Sequence, residues 1–330
     1  MARLLTQYSL RIERKRLLLR AWRRLGQLQH VSGPLDLPPG PLVAICLRNE
    51  RPRLPHVLYH YRTMGVAHFL VIDNGSTDGS AAWLAEQPDC TVWCTQASYK
   101  RARFGMDWIN GILGRYAKGR WVLTVDADEL FIYPHMGARP LPALTDWLDA
   151  QNLRAFGTLL LDLYPRRDGP APADGPPLQA LTHYDAGNYQ FQRNPRYGHV
   201  WIQGGVRQRV FFAQDPARAP ALNKIPLVKW AAGVVYVSST HHLLPRGLNR
   251  VYDAFGGQKA SGLLLHTKFL DDLEDRVEDA LARQQHYAKG REYRAYRALG
   301  TTGLCTAFST PWTDWRAAEA QGLMSRGAWA

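Results

Sequence analysis

Cysteine is scarce in this chain, and acids are outnumbered. Only four cysteines occur among 330 residues: Cys46, Cys90, Cys94 and Cys305. Their spacing matches neither a zinc knuckle nor a disulfide framework, which predicts reduced thiols and a cytosolic setting. Cys90 and Cys94 bracket "TVW", a strand-like run, and read as buried. No stretch approaches the roughly 20 apolar residues of a membrane span, and the N-terminus shows no signal-peptide apolar region. What remains, 46% hydrophobic and 21% charged, suits a globular protein with a sizeable core. The length allows one large α/β domain with appendages or two smaller domains.

Asp and Glu number 28 against 41 Lys and Arg, a net charge of +13. The excess is uneven. Residues 1–30 hold eight basic side chains and one acid, Glu13, and so carry seven of the thirteen net charges. At 100° per residue, Leu10, Leu17, Leu18, Ala21, Trp22 and Leu25 fall on one side of a helix, with Arg14 inside the stripe and Leu19 outside. A basic helix with a Leu/Trp face suits an anionic membrane surface. It equally suits a helix packed on the domain with its cations solvated. Nucleic acid is not expected as a partner, because the rest of the chain lacks aromatic–basic interleaving.

After the Pro/Gly linker "SGPLDLPPGP" (32–41) the pattern changes. "LVAICLRNE" reads as a buried strand ending in polar residues, "LPHVLYHYRTMG" as a helix, and "HFLVIDNGSTDGS" as strand, turn and helix start. "SAAWLAEQ" is a short helix, "TVWCTQ" a strand, "GMDWINGILGRYAKG" a helix and "RWVLTVDADEL" a strand again. Such alternation predicts an α/β fold with a mostly parallel, helix-covered sheet. Ligands of such sheets collect at the carboxyl ends of strands, where Asn49, Glu50, Asp73, Asn74, Asp126 and Asp128 fall. If strand geometry persists, Asp126 and Asp128 share a face and Glu129 points elsewhere. Two convergent carboxylates need a counter-charge: a hard divalent cation completed by substrate phosphates, nearby arginines, or the cap of the next segment.

"VIDNGSTDGS", "ICLRNE" and "WINGILGRYAKGRWVLTVDADEL" together resemble, in order and spacing, the donor-binding half of family 2 glycosyltransferases, over residues 40–135. "GGVRQRVFF", "LNKIPLVKW", "SSTHHLLP" and "LLLHTKF" resemble more loosely a bacterial subgroup with a DADE metal motif. The resemblance implies a GT-A-like (Rossmann-like) fold and an inverting transferase using a nucleotide-sugar donor, UDP-linked by default, with Mn²⁺ or Mg²⁺. It puts Asp73 on the base or ribose, with Asn49 and Glu50 lining the same pocket. Asp126 falls near ribose and metal, and Asp128 on the metal. Arg101 and Arg103 lie near a diphosphate-contacting position, and Asn110 matches a helix Asn with a structural part. A third metal ligand is expected late in the domain, at His266 with His241 or His242 as alternatives.

The chemistry asks for the same residue types. Negative charge develops on a leaving diphosphate, which a divalent ion and arginines offset, and an acceptor hydroxyl needs a carboxylate base. Asp162 is the candidate base, with Asp185 and Glu129 behind it. Arg207 and Arg209 read as two cations on one strand face, able to bind diphosphate or an anionic acceptor. Ser76 and Thr77 read as helix caps. The acceptor is a glycan or lipid-linked, as in envelope or capsular polysaccharide synthesis.

The expected division is a basic helix and linker at 1–38 and a transferase domain at 39–300. Within that domain 39–135 is the donor half, 136–270 the acceptor half and 271–300 a helix with Leu273, Val277, Ala280 and Leu281 inward. An irregular Pro/Gly loop falls at 164–177, and residues 301–330 form an aromatic tail. The expected location is cytoplasmic, resting on the inner membrane. Competing readings are a nucleotidyltransferase, a hydrolase using the same carboxylates, which has no use for the Asp73 segment, and a non-catalytic basic binding module.

Overall fold

The structure, a computed structural model, describes residues 2–166, 175–252, 259–270, 273, 277–278, 294–297 and 303–329. The chain runs α1 (Ala2–Arg24), β1 (Gln29–Ser32), β2 (Leu42–Leu47), α2 (Leu54–Thr63), β3 (His68–Asp73), α3 (Ser80–Ala85) and β4 (Cys90–Cys94). Then come α4 (Met106–Tyr116), β5 (Trp121–Val125), β6 (Glu129–Ile132), α5 (Leu141–Ala150) and β7 (Ala155–Asp162). The second half adds β8 (His183–Asp185), β9 (Gln190–Arg193), β10 (Val200–Gln203), β11 (Asn223–Lys229), β12 (Val235–Ser238), β13 (His242–Leu244), β14 (Gly262–His266) and β15 (Ser309–Pro311).

Among the described residues nine strands form one mixed sheet in the order β1-β4-β3-β2-β5-β11-β7-β14-β6, so the protein is α/β as expected. Only half of the pairings are parallel, yet β2, β3, β4, β5, β7 and β14 all run the same way, with β1, β6 and β11 opposed. Six carboxyl ends therefore share one edge with the first residues of β6 and β11. Strands β2, β3 and β5 are apolar runs because helices cover both faces. Val43 and Ile45 pack into one core cluster with α2 and α5, and Leu42 and Ala44 into another with α4. Helix α2 starts with Pro55 in its first turn and buries Leu54, Val57, Leu58 and Tyr61, an i, i+3, i+4, i+7 stripe.

The sheet is not flat. Strands β5 and β6 stand four places apart, about 19 Å in a flat sheet. Only Asp126, Ala127 and Asp128 join them, and that stretch reaches at most about 14 Å. The far half must therefore curl back toward β5, which carries β11, β7 and β14 over the acidic turn.

Helix α1 docks on the domain, but not through the stripe expected. Leu10, Leu17 and Ala21 are buried and Leu18 and Leu25 partly so, whereas Trp22 is 69% exposed. One turn of helix takes 3.6 residues, so Trp22 stands a full 100° round from Ala21, beyond the partly buried Leu18 and Leu25. Strand β1, an exposed edge strand paired with β4, carried no periodic signal. At the other end Trp315 and Trp329 are buried, and His135 donates to the Trp329 carbonyl at 3.0 Å. The helix read over 271–300 and the loop at 164–177 fall largely outside the described residues; Leu273 and Val277, which are described, are buried.

Candidate active site

The shared edge gathers an unusual density of charge. Strand β5 ends at Val125, and Asp126 to Asp128 form a turn rather than more strand. The expected common face of Asp126 and Asp128 is thereby lost. Glu129 does not point elsewhere: its Oε2 accepts from the Asp126 N–H at 3.1 Å. Lys224, at the start of β11, donates from Nζ to Glu129 Oε1 at 2.8 Å and lies 3.7 Å from Asp126 Oδ2. Burial alone would lower the Lys224 pKa, but Glu129 and Asp126 outweigh it and the value is raised. Asp126 stands at the mouth, half open to solvent and walled by protein below. Desolvation, then repulsion from Glu129, pushes it up to about 6 against the pull of Lys224.

Asp128 faces a different partner. Its Oδ2 lies 3.5 Å from His266 Nε2, and the other ring nitrogen of His266, Nδ1, is 2.6 Å from Asp162 Oδ1. Arg207 donates from Nε to the second Asp162 oxygen at 2.7 Å. Parallel pairing of β14 with β7 sets His266 directly opposite Asp162, and the Asp128 carbonyl is held by the Thr267 N–H at 2.8 Å and hydroxyl at 3.0 Å. Burial would lower the pKa of His266, but Asp128 and Asp162 raise it on balance. Burial would raise Asp162, yet Arg207 and His266 hold it below the usual carboxylate range. With both oxygens engaged, Asp162 is arranged to orient an imidazole rather than to take a proton. Asp185 is similarly committed, to Tyr164 at 2.5 Å and to Arg209 at 3.0 Å.

An Asp oxygen and a His Nε2 side by side, the His fixed through Nδ1 by a carboxylate, is the arrangement by which proteins orient a metal-binding imidazole. The donor types suit Mn²⁺ or Mg²⁺. Among the described residues no group of three or more His, Cys, Asp or Glu side chains is gathered as a metal site. The protein would supply two donors here, and hard divalent ions commonly complete their shell with water and substrate phosphate. The residues fit on those terms.

Strands β3 and β2 put Asp73 beside Leu47. Asp73 Oδ1 accepts from the Ser76 N–H at 2.9 Å, while Oδ2 is buried with no hydrogen-bond partner among the described residues. Cys46 lies between Asp73 and Asp126; burial, then those two acids, pushes its thiol up. A small recess beside Asp126 is lined by Cys46, Tyr99, Phe104, Thr124, Ser239 and Thr240. Asn49, in a left-handed conformation (φ 53°), accepts from the Thr77 N–H at 2.8 Å, and Glu50 pairs with Arg53 at 3.2 Å. The Asn49 contact, with the Glu50 N–H donating to Ser80 Oγ at 3.1 Å, fastens the β3–α3 loop to the end of β2. The caps expected of Ser76 and Thr77 are absent: Ser76 Oγ accepts from the Asn49 N–H at 2.9 Å, and α3 begins after Gly79 with no side-chain cap.

Other expected site residues lie apart from this convergence. Arg101 is exposed, and Arg103 (φ 55°) donates to Asp107 at 3.2 Å and to the Val237 carbonyl. Asn110 exchanges hydrogen bonds with the Tyr236 backbone at 2.8 and 3.1 Å, a structural part. His241 Nδ1 meets the Asn223 carbonyl at 2.7 Å, and His242 stacks on His199. The Arg207/Arg209 segment is a helical turn (Arg207–Phe211), not a strand face, so its two cations diverge to Asp162 and Asp185. Lys224 was not foreseen. A lysine inside the apolar run "LNKIPLVKW" was the available signal, since a buried lysine requires a charged partner.

No family model and no curated protein matches the chain. Among solved structures, a mannosyltransferase from Pyrobaculum calidifontis in complex with GDP-Man and Mn²⁺ is similar at 22% identity and a TM-score of 0.29, over 47% of each chain. A TM-score of that size decides neither fold nor function, and the likeness spans under half the length of either protein.

Proposed function

We propose that this protein is a nucleotide-sugar-dependent glycosyltransferase of the GT-A kind, acting with a divalent metal and inverting the transferred sugar. The observation that carries the reading is the meeting, at one sheet edge, of an unpartnered Asp73 oxygen with an Asp128–His266 pair oriented by Asp162. A buried carboxylate oxygen without a donor is costly, and a nucleotide base or ribose supplies that donor. Asn49 and Glu50 shape the same wall. Asp128 and His266 would hold Mn²⁺ or Mg²⁺, which supplies Lewis acidity toward a departing diphosphate oxygen. Asp162 and Arg207 fix the His266 ring, and Lys224 offsets the charge of Asp126 and Glu129. The donor half is 39–135 and the acceptor half 136–270; the donor nucleotide is UDP by default and the acceptor a glycan or lipid-linked hydroxyl.

The test is calorimetric titration of UDP, GDP and CDP, with Mn²⁺ and with EDTA, into wild type, Asp128→Ala and His266→Ala. One nucleotide binding only with metal, and lost in both variants, is the expected result. Failure of all three nucleotides to bind in the presence of metal ends the proposal. Product analysis with the matching nucleotide-sugar separates sugar transfer from nucleotidyl transfer.

A further inference from the structure

The side of α1 turned away from the domain carries Leu5 (63% exposed), Tyr8 (65%), Leu19 (46%) and Trp22 (69%). At 100° per residue these four span about a third of the helix circumference, centred opposite the buried Leu10, Leu17 and Ala21. Between and beside them lie Arg11, Lys15, Arg16 and Arg23, all exposed. The segment's single acid does not offset them, because Glu13 is bound by Arg196 and Tyr197, each at 2.8 Å. Arg20 is also engaged, on Asp107 at 2.9 Å. The helix therefore has two working sides, one packed and one both apolar and cationic.

We infer that this outward face docks on an anionic lipid bilayer, with α1 lying in the plane of the surface. Leu, Trp and Tyr side chains enter the boundary between headgroups and acyl chains, and the interleaved cations meet lipid phosphates. From Leu5 to Trp22 the face extends about 26 Å along the helix, so its four apolar side chains can enter one surface together. Charge complementarity selects this occupant. A second copy of the same face would set like charges against each other, and a polyanion without an apolar phase would leave Leu5, Leu19 and Trp22 in water. No helix among the described residues is long and apolar enough to cross a membrane; this helix would lie on one. The inference is independent of the transferase reading.

The experiment is co-sedimentation of the full chain with vesicles of mixed phosphatidylglycerol and phosphatidylcholine, and of phosphatidylcholine alone. It is run on wild type, Leu19→Ser/Trp22→Ser and Lys15→Gln/Arg16→Gln/Arg23→Gln. All five positions are exposed, and unchanged thermal midpoints verify that the variants fold. Wild type should bind anionic vesicles and bind neutral ones far more weakly. The charge variant should lose on the order of a hundredfold in affinity, and the apolar variant at least about tenfold. Equal binding to both vesicle types, no binding to either, or an apolar variant that binds like wild type overturns the inference. So does duplex DNA displacing the vesicles from wild type and apolar variant alike, which would mark a general polyanion surface.

Discussion

Lys224 holds together an edge that would otherwise repel itself. Its ammonium lies 2.8 Å from Glu129 Oε1, and the Glu129 side chain is 1% exposed. Removing one member of such a buried pair leaves an uncompensated charge, which costs about 3–5 kcal/mol. Lys224→Met should therefore lower unfolding stability in denaturant by that much, and Lys224→Met/Glu129→Leu should recover a large part of it. A single-substitution cost no larger than about 0.5 kcal/mol, as for an ordinary surface site, would contradict this account. For Asp162 the expected loss is in metal affinity. Asp162→Asn keeps a hydrogen-bonding group against His266 but removes the charge that fixes the ring. Replacing such an orienting carboxylate weakens metal binding by about 10- to 100-fold, measurable by Mn²⁺ titration of the folded variant. Unaltered Mn²⁺ affinity would leave Asp162 as structural only.

Which of these residues could be read in advance follows from how far apart their partners lie in the chain. Asp73, Asp126 and Asp128 sit at the ends of apolar runs and announce themselves locally. His266 shares that signature, since "LLLH" is a strand ending in a ligand-type side chain. The partnerships were not legible: Glu129 with Lys224 and Asp162 with Arg207 or His266 join residues 45 to 104 positions apart. The turn at 126–128 was hidden for a related reason. Nothing in "VDADEL" says that the strand stops at Val125, because the break comes from the return of the chain into β6.

At the level of elements, α1 and α4 lie close because Gly111 has no side chain. A Cβ there would stand 2.9 Å from the Ala21 carbonyl oxygen and 2.9 Å from the Leu25 side chain. Backbone cannot yield as a flexible side chain does, so Gly111→Ala should push α1 outward, at about 1–3 kcal/mol of stability. Faster amide exchange in α1 than in β2–β5 would accompany it, and unchanged protection would mean that α1 is held elsewhere. The docked side of α1 was half legible: the periodicity found Leu10, Leu17 and Ala21, and its width was overdrawn to include Trp22. Strands β2 to β5 were legible as short apolar runs between polar turns, and helices α2 and α4 by their own period. Strand β1 was not, because three of its four residues are exposed and its place is set by pairing with β4.

At the scale of the whole molecule, buried histidines set how the protein meets acid. His199 and His242 stack at 4.7 Å between ring centroids, and none of their four ring nitrogens has a hydrogen-bond partner among the described residues. Burial opposes protonation of both rings, and for His242 the neighbouring His199 and the guanidinium of Arg103 add to it. Burial lowers His199 to about 4 and His242 to about 3, from roughly 6.5 in an unfolded chain. Below pH 6.5 the unfolded chain thus binds protons that the folded chain refuses, so stability is full above that value and falls as pH drops toward 4. Each histidine contributes a slope of about 1.4 kcal/mol per pH unit in that window. Between pH 7 and pH 5 the pair should remove about 3–4 kcal/mol. Desolvation also lowers the half-buried His60 to about 4 and His241 to about 3, so the raw pH profile does not isolate the pair. The difference between wild type and His199→Leu/His242→Leu does, because only the substituted protein lacks those two sites. That difference, measured by denaturant unfolding at each pH, should shift by about 3–4 kcal/mol in favour of the variant from pH 7 to pH 5. A difference that stays constant with pH would mean that the stacked pair is hydrated and already free to take up protons in the folded state.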